Sequence, residues 1–219
     1  MILSILGDSI STYDNFIPAG NASVYPFFDV DSPSKTWWGL LLEQTGLQLG
    51  CNDSYSGARI TKSVPWFPEW SSFISSRRQN NIKGADLLIV LGGTNDFGTQ
   101  YLLPTLDEFT EAYASLVNSI VTGNPNTKCC FCTPLQRTDI DLYTANHKGF
   151  SLADLQQSIR NVIATDSRAY LLDIGRHTIT KDMSCLGDGL HPNAKGMSLL
   201  CKWILKDLED LQIIPHPKN

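Results

Sequence analysis

The sequence has no apolar stretch of the roughly 18 residues that a membrane-spanning helix needs. It also has no run of lysine or arginine, and its acidic residues outnumber its basic residues, 22 to 17. Nucleic acids and anionic membrane surfaces attract clustered positive charge, which this chain does not offer. These absences argue against a membrane span, against a polybasic membrane anchor and against nucleic acid as a partner.

A signal peptide is missing as well. Residues 1–6 contain no basic region and no apolar core of signal length, and they lead directly into Gly7. This segment is better interpreted as a strand of the protein core. We therefore expect a cytoplasmic protein. The alternative is a secreted or periplasmic protein whose leader is absent from this sequence.

The six cysteines do not form a disulfide or metal-binding pattern. Cys129, Cys130 and Cys132 cluster in an apparent strand, where adjacent side chains point to opposite faces. A cysteine-based metal site would need two well-spaced pairs or a nearby histidine pair, and the sequence has neither. We expect buried, reduced thiols, and a protein that uses no metal and no other cofactor.

Strand-like and helix-like patterns alternate along the chain, without repeats, low-complexity segments or domain linkers. The predicted strands cover residues 2–6, 48–52, 85–91, 128–132 and 169–174, and the predicted helices cover 36–45, 106–122, 151–165 and 194–211. This alternation predicts a three-layer α/β/α sandwich around a parallel sheet of about five strands. A chain of 219 residues can bury one such core, so we expect a single domain over 1–219 with an aromatic-rich insertion at about 13–35.

Four short motifs lie beside these predicted elements. They are Gly7-Asp8-Ser9-Ile10, Asn52-x-Ser54-x-Ser56-Gly57, Gly93-Thr94-Asn95-Asp96 and Asp188-Gly189-Leu190-His191. The first three follow strands directly, and the fourth precedes the last helix. Ligands of open parallel sheets bind outside the carboxyl ends of the strands. We therefore expect the four motifs to meet at one edge of the sheet.

Two of the motifs offer a nucleophile and a base. Serine is a weak nucleophile until an adjacent base takes its proton, and His191 is our candidate base for Ser9. Asp188, three residues before His191, could accept a hydrogen bond from the imidazole and stabilise its charged form. The other histidines lack a carboxylate in a comparable glycine-bounded turn; they are His147, His177 and His216.

Plainer interpretations exist for the same residues. Ser9 could merely cap a helix, and the aspartate of the fourth motif could cap the last helix beside an incidental histidine. If a helix begins at Ser9, its N-terminal dipole would also favour negative charge developing there. Asn95 alone is typical of an Asx-turn. The combination and order of the motifs favour the catalytic interpretation.

The motif set resembles the SGNH-hydrolase superfamily, also called GDSL esterases and lipases. The four residues that give the superfamily its letters correspond to Ser9, Gly57, Asn95 and His191, and the resemblance spans residues 7–193. It implies a flavodoxin-like fold and a catalytic triad of Ser9, Asp188 and His191. It also implies an oxyanion hole made by the backbone N–H groups of Ser9 and Gly57 and the side-chain amide of Asn95. Isoleucine replaces the usual leucine after Ser9, a conservative change.

The resemblance implies a metal-free serine esterase that works through an acyl-enzyme. We expect small-molecule substrates with short acyl groups, such as acetyl esters, with carbohydrate esters as one candidate class. A lysophospholipase or thioesterase of the same superfamily is an alternative, and so is an inactive carbohydrate-binding protein. The sequence leaves the oligomeric state open.

The remaining polar and aromatic residues near the motifs have less specific patterns. We interpret Asp8 and Asp96 as supports that hydrogen-bond neighbouring turns, and Arg59 as a member of a surface ion pair, although it could orient a polar substrate. Aromatic side chains near the motifs could stack on sugars or line an acyl pocket, but packing is the favoured role for any one of them. They are Tyr13, Phe16, Tyr25, Phe27, Phe28, Trp37, Trp38, Trp66, Phe67 and Trp70.

Overall fold

A parallel sheet forms the centre of the computed structural model, which describes residues 1–98 and 102–214. Its five strands are β1 (Ile2–Gly7), β2 (Gln48–Ser54), β3 (Leu87–Leu91), β4 (Lys128–Cys132) and β5 (Ala169–Leu172). They lie in the order β2-β1-β3-β4-β5, and all neighbours are parallel. The predicted three-layer α/β fold is confirmed.

The register of the central strands aligns their carboxyl ends. Gly7, the last residue of β1, pairs with Ser54 on one side and with Leu91 on the other. Both partners are the last residues of their own strands. The segments after β1, β2 and β3 therefore leave the sheet at the same height, which brings the first three motifs together as expected.

Helices cover both faces of the sheet. They are α1 (Trp37–Thr45), α2 (Ser76–Asn81), α3 (Thr94–Phe97), α4 (Leu106–Gly123), α5 (Leu152–Ile163) and α6 (Ala194–Asp210). Helices α1 and α6 pack on one face, and α4 and α5 pack on the other. The connections before α4 and α5 end in capping boxes, Thr105 with Glu108 and Ser151 with Asp154, which fix where each helix begins.

Alternation along β4 divides its side chains between the two cores. Cys130 and Cys132 pack on the α1–α6 side, whereas Cys129 and Phe131 pack on the α4–α5 side. All six cysteines are free thiols and, except for the half-buried Cys51, they are buried. Burial raises the pKa of Cys129 to about 11, so it stays a neutral thiol and fills space as a small apolar side chain.

Several predicted boundaries differ from the structure. Strand β3 begins at Leu87 instead of residue 85, and β5 ends at Leu172 because residues 174–176 form a 3-10 turn. Helices α2 and α3 were not predicted, since they are too short to show a helical period. Ser9 begins only a single 3-10 turn, Ser9–Ser11, so the helix dipole considered for this position has no helix to arise from.

Within residues 1–98 and 102–214, no helix is both long and apolar enough to cross a membrane. The proline-rich tail with His216 lies outside the described residues.

Candidate functional site

Ser9, His191 and Asp188 are joined by hydrogen bonds at the carboxyl edge of the sheet. The Ser9 Oγ lies 2.9 Å from Nε2 of His191. On the other side of the ring, Nδ1 lies 2.7 Å from Oδ2 of Asp188. Because a carboxylate can only accept, Nδ1 carries the proton and Nε2 is left to accept from the serine hydroxyl. The structure therefore brings a hydroxyl, a base and an orienting carboxylate into one line.

Asp188 is held by the same loop that carries the histidine. Its Oδ1 accepts hydrogen bonds from the backbone N–H of His191 at 2.7 Å and of Leu190 at 3.0 Å. Partial burial raises the pKa of Asp188, but the bonds from the His191 backbone, the His191 ring and the Leu190 backbone outweigh burial and leave it below its usual range. The carboxylate is thus ionised at neutral pH and can stabilise a charged imidazolium.

The turn that carries Ser9 is fixed from the side of β2 and α1. The carbonyl of Ser11 accepts hydrogen bonds from Nε1 of Trp38 at 3.0 Å and from Nδ2 of Asn52 at 2.8 Å. Nε1 of Trp37 donates to the Ser11 Oγ at 3.1 Å. The adjacent tryptophans are buried, so they position the turn that carries Ser9 and do not form an exposed rim.

The Asp8 side chain caps the turn Ser9–Ser11. Its Oδ1 accepts a hydrogen bond from the backbone N–H of Ile10 at 3.0 Å, as expected for a supporting residue. Burial raises the pKa of Asp8 to about 6, although the Ile10 bond and the charges of His191 and Arg78 lower it in part. Asp8 is therefore a carboxyl whose ionisation state changes in mildly acidic solution.

Gly57 and Asn95 lie beside each other at the same edge. Nδ2 of Asn95 donates one hydrogen bond to the carbonyl of Ala58, the residue after Gly57, at 2.9 Å. A primary amide has two N–H donors, so this bond fixes the group and leaves its second donor for a ligand. Gly57 has φ +81°, and a Cβ there would lie 2.5 Å from the ring of Phe67. Both the backbone conformation and the close ring require glycine.

Asp96 ties the Gly57 turn to α3. Its buried carboxylate accepts from the backbone N–H of Ile60 at 2.8 Å and of Thr61 at 3.0 Å, and from the Thr61 hydroxyl at 2.6 Å. Burial raises the pKa of Asp96, although these hydrogen bonds oppose the shift. The structure confirms that this residue supports a neighbouring turn.

Arg78 holds the ends of β1 and β2 together, a role that no pattern in the sequence indicates. It is completely buried in the short helix α2. Its Nε donates to Asp53 at 2.8 Å, and its Nη2 donates to the carbonyls of Gly7 at 2.7 Å and Asp53 at 2.5 Å. A third nitrogen, Nη1, donates to the carbonyl of Ser71 at 2.7 Å. Arg78 thus fixes the backbone immediately before the Ser9 turn.

The interpretation of Arg59 as a surface ion-pair residue is wrong. The side chain is only 4% exposed, and its Nη1 donates to the carbonyl of Leu102 at 2.8 Å. Burial lowers the pKa of Arg59, while the charge of Asp96 raises it. Arg59 therefore links the Gly57 turn to the segment before α4 from inside the protein.

The aromatic residues near the motifs divide into buried and exposed sets. The buried ones are Tyr13, Tyr25, Trp37 and Trp38, and the most exposed are Phe16, Phe27 and Trp66. Phe67 and Trp70 both pack edge-to-face on Tyr55, at centroid distances of 5.8 and 5.4 Å. Packing is thus the main role of the buried set, and an aromatic cluster lies next to Gly57.

A parallel α/β sandwich with serine, histidine and aspartate hydrogen-bonded in series at its carboxyl edge defines the class of α/β serine hydrolases. The model of the GDSL-like lipase/acylhydrolase family matches residues 1–208, and the chain belongs to that family. It is a hydrolase that acts on ester bonds. The resemblance inferred from the four motifs is confirmed.

Solved structures share this fold along nearly the whole chain. A protein from Bacteroides ovatus assigned as a GDSL-like lipase is 23% identical with a TM-score of 0.70, and the match covers 95% of this chain and 98% of that one. A similar protein from Bacteroides uniformis is 24% identical with a TM-score of 0.70, covering 97% and 96%. A family two carbohydrate esterase from Clostridium thermocellum, solved with cellohexaose, is 15% identical with a TM-score of 0.67, covering 96% and 64%. A search of curated proteins found no match.

Proposed function

We propose that this protein is a serine esterase that removes short acyl groups, acetyl above all, from small or carbohydrate esters. Ser9 is the nucleophile, and His191 is the general base and acid. Asp188 orients the histidine and stabilises its charged form. One observation carries this proposal: the continuous hydrogen-bond series from Ser9 Oγ through the His191 ring to Asp188. It lies at the same edge of the sheet as Gly57 and Asn95.

The acylation step follows from this geometry. The Ser9 Oγ attacks the ester carbonyl carbon while Nε2 of His191 takes its proton, and the imidazolium keeps its Nδ1 proton and donates a hydrogen bond to the ionised Asp188. The tetrahedral intermediate then collapses, the alcohol leaves with the proton from Nε2, and the acyl group stays on Ser9. Water repeats the same sequence on the acyl-enzyme and releases the carboxylic acid.

The negative charge of each tetrahedral intermediate falls on the former carbonyl oxygen. We assign its stabilisation to the backbone N–H groups of Ser9 and Gly57 and to the second N–H of the Asn95 amide. The hydrogen bond from Asn95 to Ala58 holds that amide before substrate arrives, so no reorganisation is needed during the reaction. Preorganised donors of this kind are what distinguish the transition state from the bound ester.

The substrate class is inferred from the surroundings of this site. Phe67 lies against Gly57, and Tyr55 and Trp70 extend the aromatic cluster. Aromatic rings can stack on the apolar faces of sugars. The fold shared with carbohydrate esterases, one of them bound to cellohexaose, supports the same substrate class.

Hydrolysis of aryl acetate, butyrate and octanoate by the wild type and by Ser9→Ala tests the function. We expect turnover that falls with acyl length, labelling by a fluorophosphonate, and loss of both in Ser9→Ala. A protein that neither turns over nor labels would be a binding protein and not an esterase. Full activity in Ser9→Ala would show that another residue is the nucleophile.

The same series separates the related activities. A rate that peaks at octanoate would favour a lysophospholipase over a short-acyl esterase. Acetate release from acetylated oligosaccharides, compared with release from a simple aryl acetate, then tests the carbohydrate assignment. We expect kcat/KM to be higher for the oligosaccharide, because sugar binding next to Gly57 adds contacts that the aryl ester lacks.

A further inference from the structure

Phe28, in the aromatic insertion, lies face to face with His191. The two rings are nearly parallel, 9° apart, with centroids 6.0 Å from each other. Phe28 also contacts the start of the loop that carries the histidine: a Cβ on Gly187 would lie 2.1 Å from its Cδ1. This close approach is possible only with glycine at position 187. The ring is therefore packed on the loop and on the imidazole at once.

Tyr25 anchors the same segment to the other end of the loop. It is completely buried, and its hydroxyl donates a 2.8 Å hydrogen bond to the carbonyl of Pro192, the residue after His191. Together, Tyr25 and Phe28 contact the loop on both sides of the histidine. The segment 25–28, here called the clamp, thus connects the insertion to the Asp188–His191 loop.

The loop needs such support because much of it is exposed. The Asp188 side chain is 43% exposed. On the opposite side, the loop is held by the Thr138 N–H, which donates to the carbonyl of Gly189 at 2.8 Å. Without the clamp, the hydrogen bonds of His191 to Asp188 and Ser9 would have to fix the ring plane alone.

The backbone at the last residue of the clamp, and at the residue after it, is held in an uncommon conformation. Phe28 has φ +54° and Asp29 has φ +65°, both in the left-handed region. For a residue with a Cβ this region costs about 1–2 kcal/mol. Such residues persist where surrounding contacts over-determine them, and they cluster at functional sites. Phe28 is held there by the hydrophobic core on which it packs and by its contacts with Gly187 and His191.

We propose that Phe28 is a positioning residue for the His191 imidazole, with Tyr25 as its anchor. The Phe28 ring restricts rotation of the imidazole, so that Nε2 stays directed at Ser9 while Nδ1 stays directed at Asp188. Its π face also attracts the imidazolium formed in each step, since a cation near an aromatic face is stabilised. This inference rests on the esterase function proposed above.

Kinetics of Phe28→Leu, with Phe27→Leu as matched control, test the proposal. Phe27 is adjacent and 67% exposed, so replacing it leaves the contacts of Phe28 with Gly187 and His191 in place. We expect kcat and the rate of fluorophosphonate labelling of Phe28→Leu to fall about 10- to 100-fold with little change in KM, as for a displaced catalytic group. Phe28→Tyr, which keeps the ring, should restore both. Tyr25→Phe should lower kcat less than Phe28→Leu does.

A raised KM with unchanged kcat and labelling would instead show that Phe28 lines the substrate-binding site. Equal rates in Phe27→Leu and Phe28→Leu would also overturn the proposal. Thermal unfolding identifies any variant that fails to fold. If Phe28→Leu does, Tyr25→Phe, which removes only the hydrogen bond to Pro192, carries the comparison, and an unchanged kcat in that variant contradicts the proposal. The downfield proton resonance of the His191 Nδ1–H gives a readout independent of turnover. We expect it to broaden in Phe28→Leu and to persist in Phe27→Leu. If the wild type hydrolyses no ester, the proposed function fails, whereas this resonance still decides whether Phe28 positions the ring.

Discussion

The Asn95 side chain is fixed by a hydrogen bond that takes no part in the proposed reaction. Its amide donates to the Ala58 carbonyl at 2.9 Å, and the remaining N–H is the proposed oxyanion donor. We expect Asn95→Ala to lower kcat by about 10²–10³ with a small change in KM, because the lost bond belongs mainly to the transition state.

Steady-state kinetics on an aryl acetate measure this effect, and urea unfolding controls for the lost Ala58 bond, which contributes about 1 kcal/mol to stability. A loss of less than about tenfold in kcat would remove Asn95 from the oxyanion hole. A rise in KM alone would make it a substrate-binding residue.

Asp8 couples the stability of the protein to pH. Burial raises its pKa to about 6 in the folded state, above the value of 3.8 expected when unfolded. Between these values the folded protein binds more protons than the unfolded chain, so the contribution of Asp8 to stability is lost as pH rises through about 6.

We expect Asp8→Asn to remove this dependence while its side-chain oxygen still accepts from Ile10. The free energy of unfolding of the wild type, relative to that of Asp8→Asn, should fall by on the order of 2–3 kcal/mol from about pH 4 to about pH 7. Urea unfolding across this range measures the difference, in which the other carboxyl groups cancel. Parallel curves for the two proteins would show that Asp8 is not protonated in the folded state.

At the scale of whole elements, the sequence predicted the strands and long helices because each has a clear hydrophobic pattern. β3 is a short, continuous run of buried apolar residues, and the apolar residues of α4 recur at helical spacing along its buried face, so these patterns identify both elements. The motifs at the strand ends were predictable for the same reason: once the strands are known, their carboxyl ends must meet at one edge.

The contacts that support the site could not be predicted in this way. Arg78 lies in a run of polar residues, Ser-Arg-Arg-Gln-Asn-Asn, that is typical of an exposed helix, yet it is completely buried. Phe28 lies in a long connection without periodicity, and its partner His191 is far away in sequence. Such pairings depend on the path of irregular loops, which local patterns do not determine.

The short helix α2 joins the ends of β1 and β2 mainly through Arg78, which forms a buried ion pair with Asp53. Loss of the cation would leave that carboxylate buried without its partner. We expect Arg78→Met to lower the free energy of unfolding by about 3–5 kcal/mol. Arg77→Met is the matched control: this neighbour is exposed and stacks on Trp70 at 3.8 Å, an interaction that contributes about 0.5–1 kcal/mol. Equal losses in the two variants would contradict the buried role of Arg78.

At the scale of the whole molecule, a single sheet is shared by two hydrophobic cores. Leu3 and Ile5 of β1 pack on the α1–α6 side, and Leu6 packs on the α4–α5 side. The turn that carries Ser9 leaves this same strand, and the Trp37 and Trp38 side chains that hold it belong to the first core. Neither layer can lose its packing without exposing a face of the strands that carry the site.

We therefore expect the chain to unfold as one cooperative domain. Leu116 of α4 and Leu200 of α6 are completely buried on opposite faces of the sheet, and replacing either by alanine should lower the free energy of unfolding by about 2–5 kcal/mol. Both cores share the strands. The urea midpoints of Leu116→Ala measured by tryptophan fluorescence and by far-ultraviolet circular dichroism should therefore fall to the same lower value, with the slope m unchanged. Leu200→Ala should behave identically from the other face. Separate midpoints for the two signals, or a change in one signal alone, would show that the two layers unfold independently and that the chain is not a single cooperative domain.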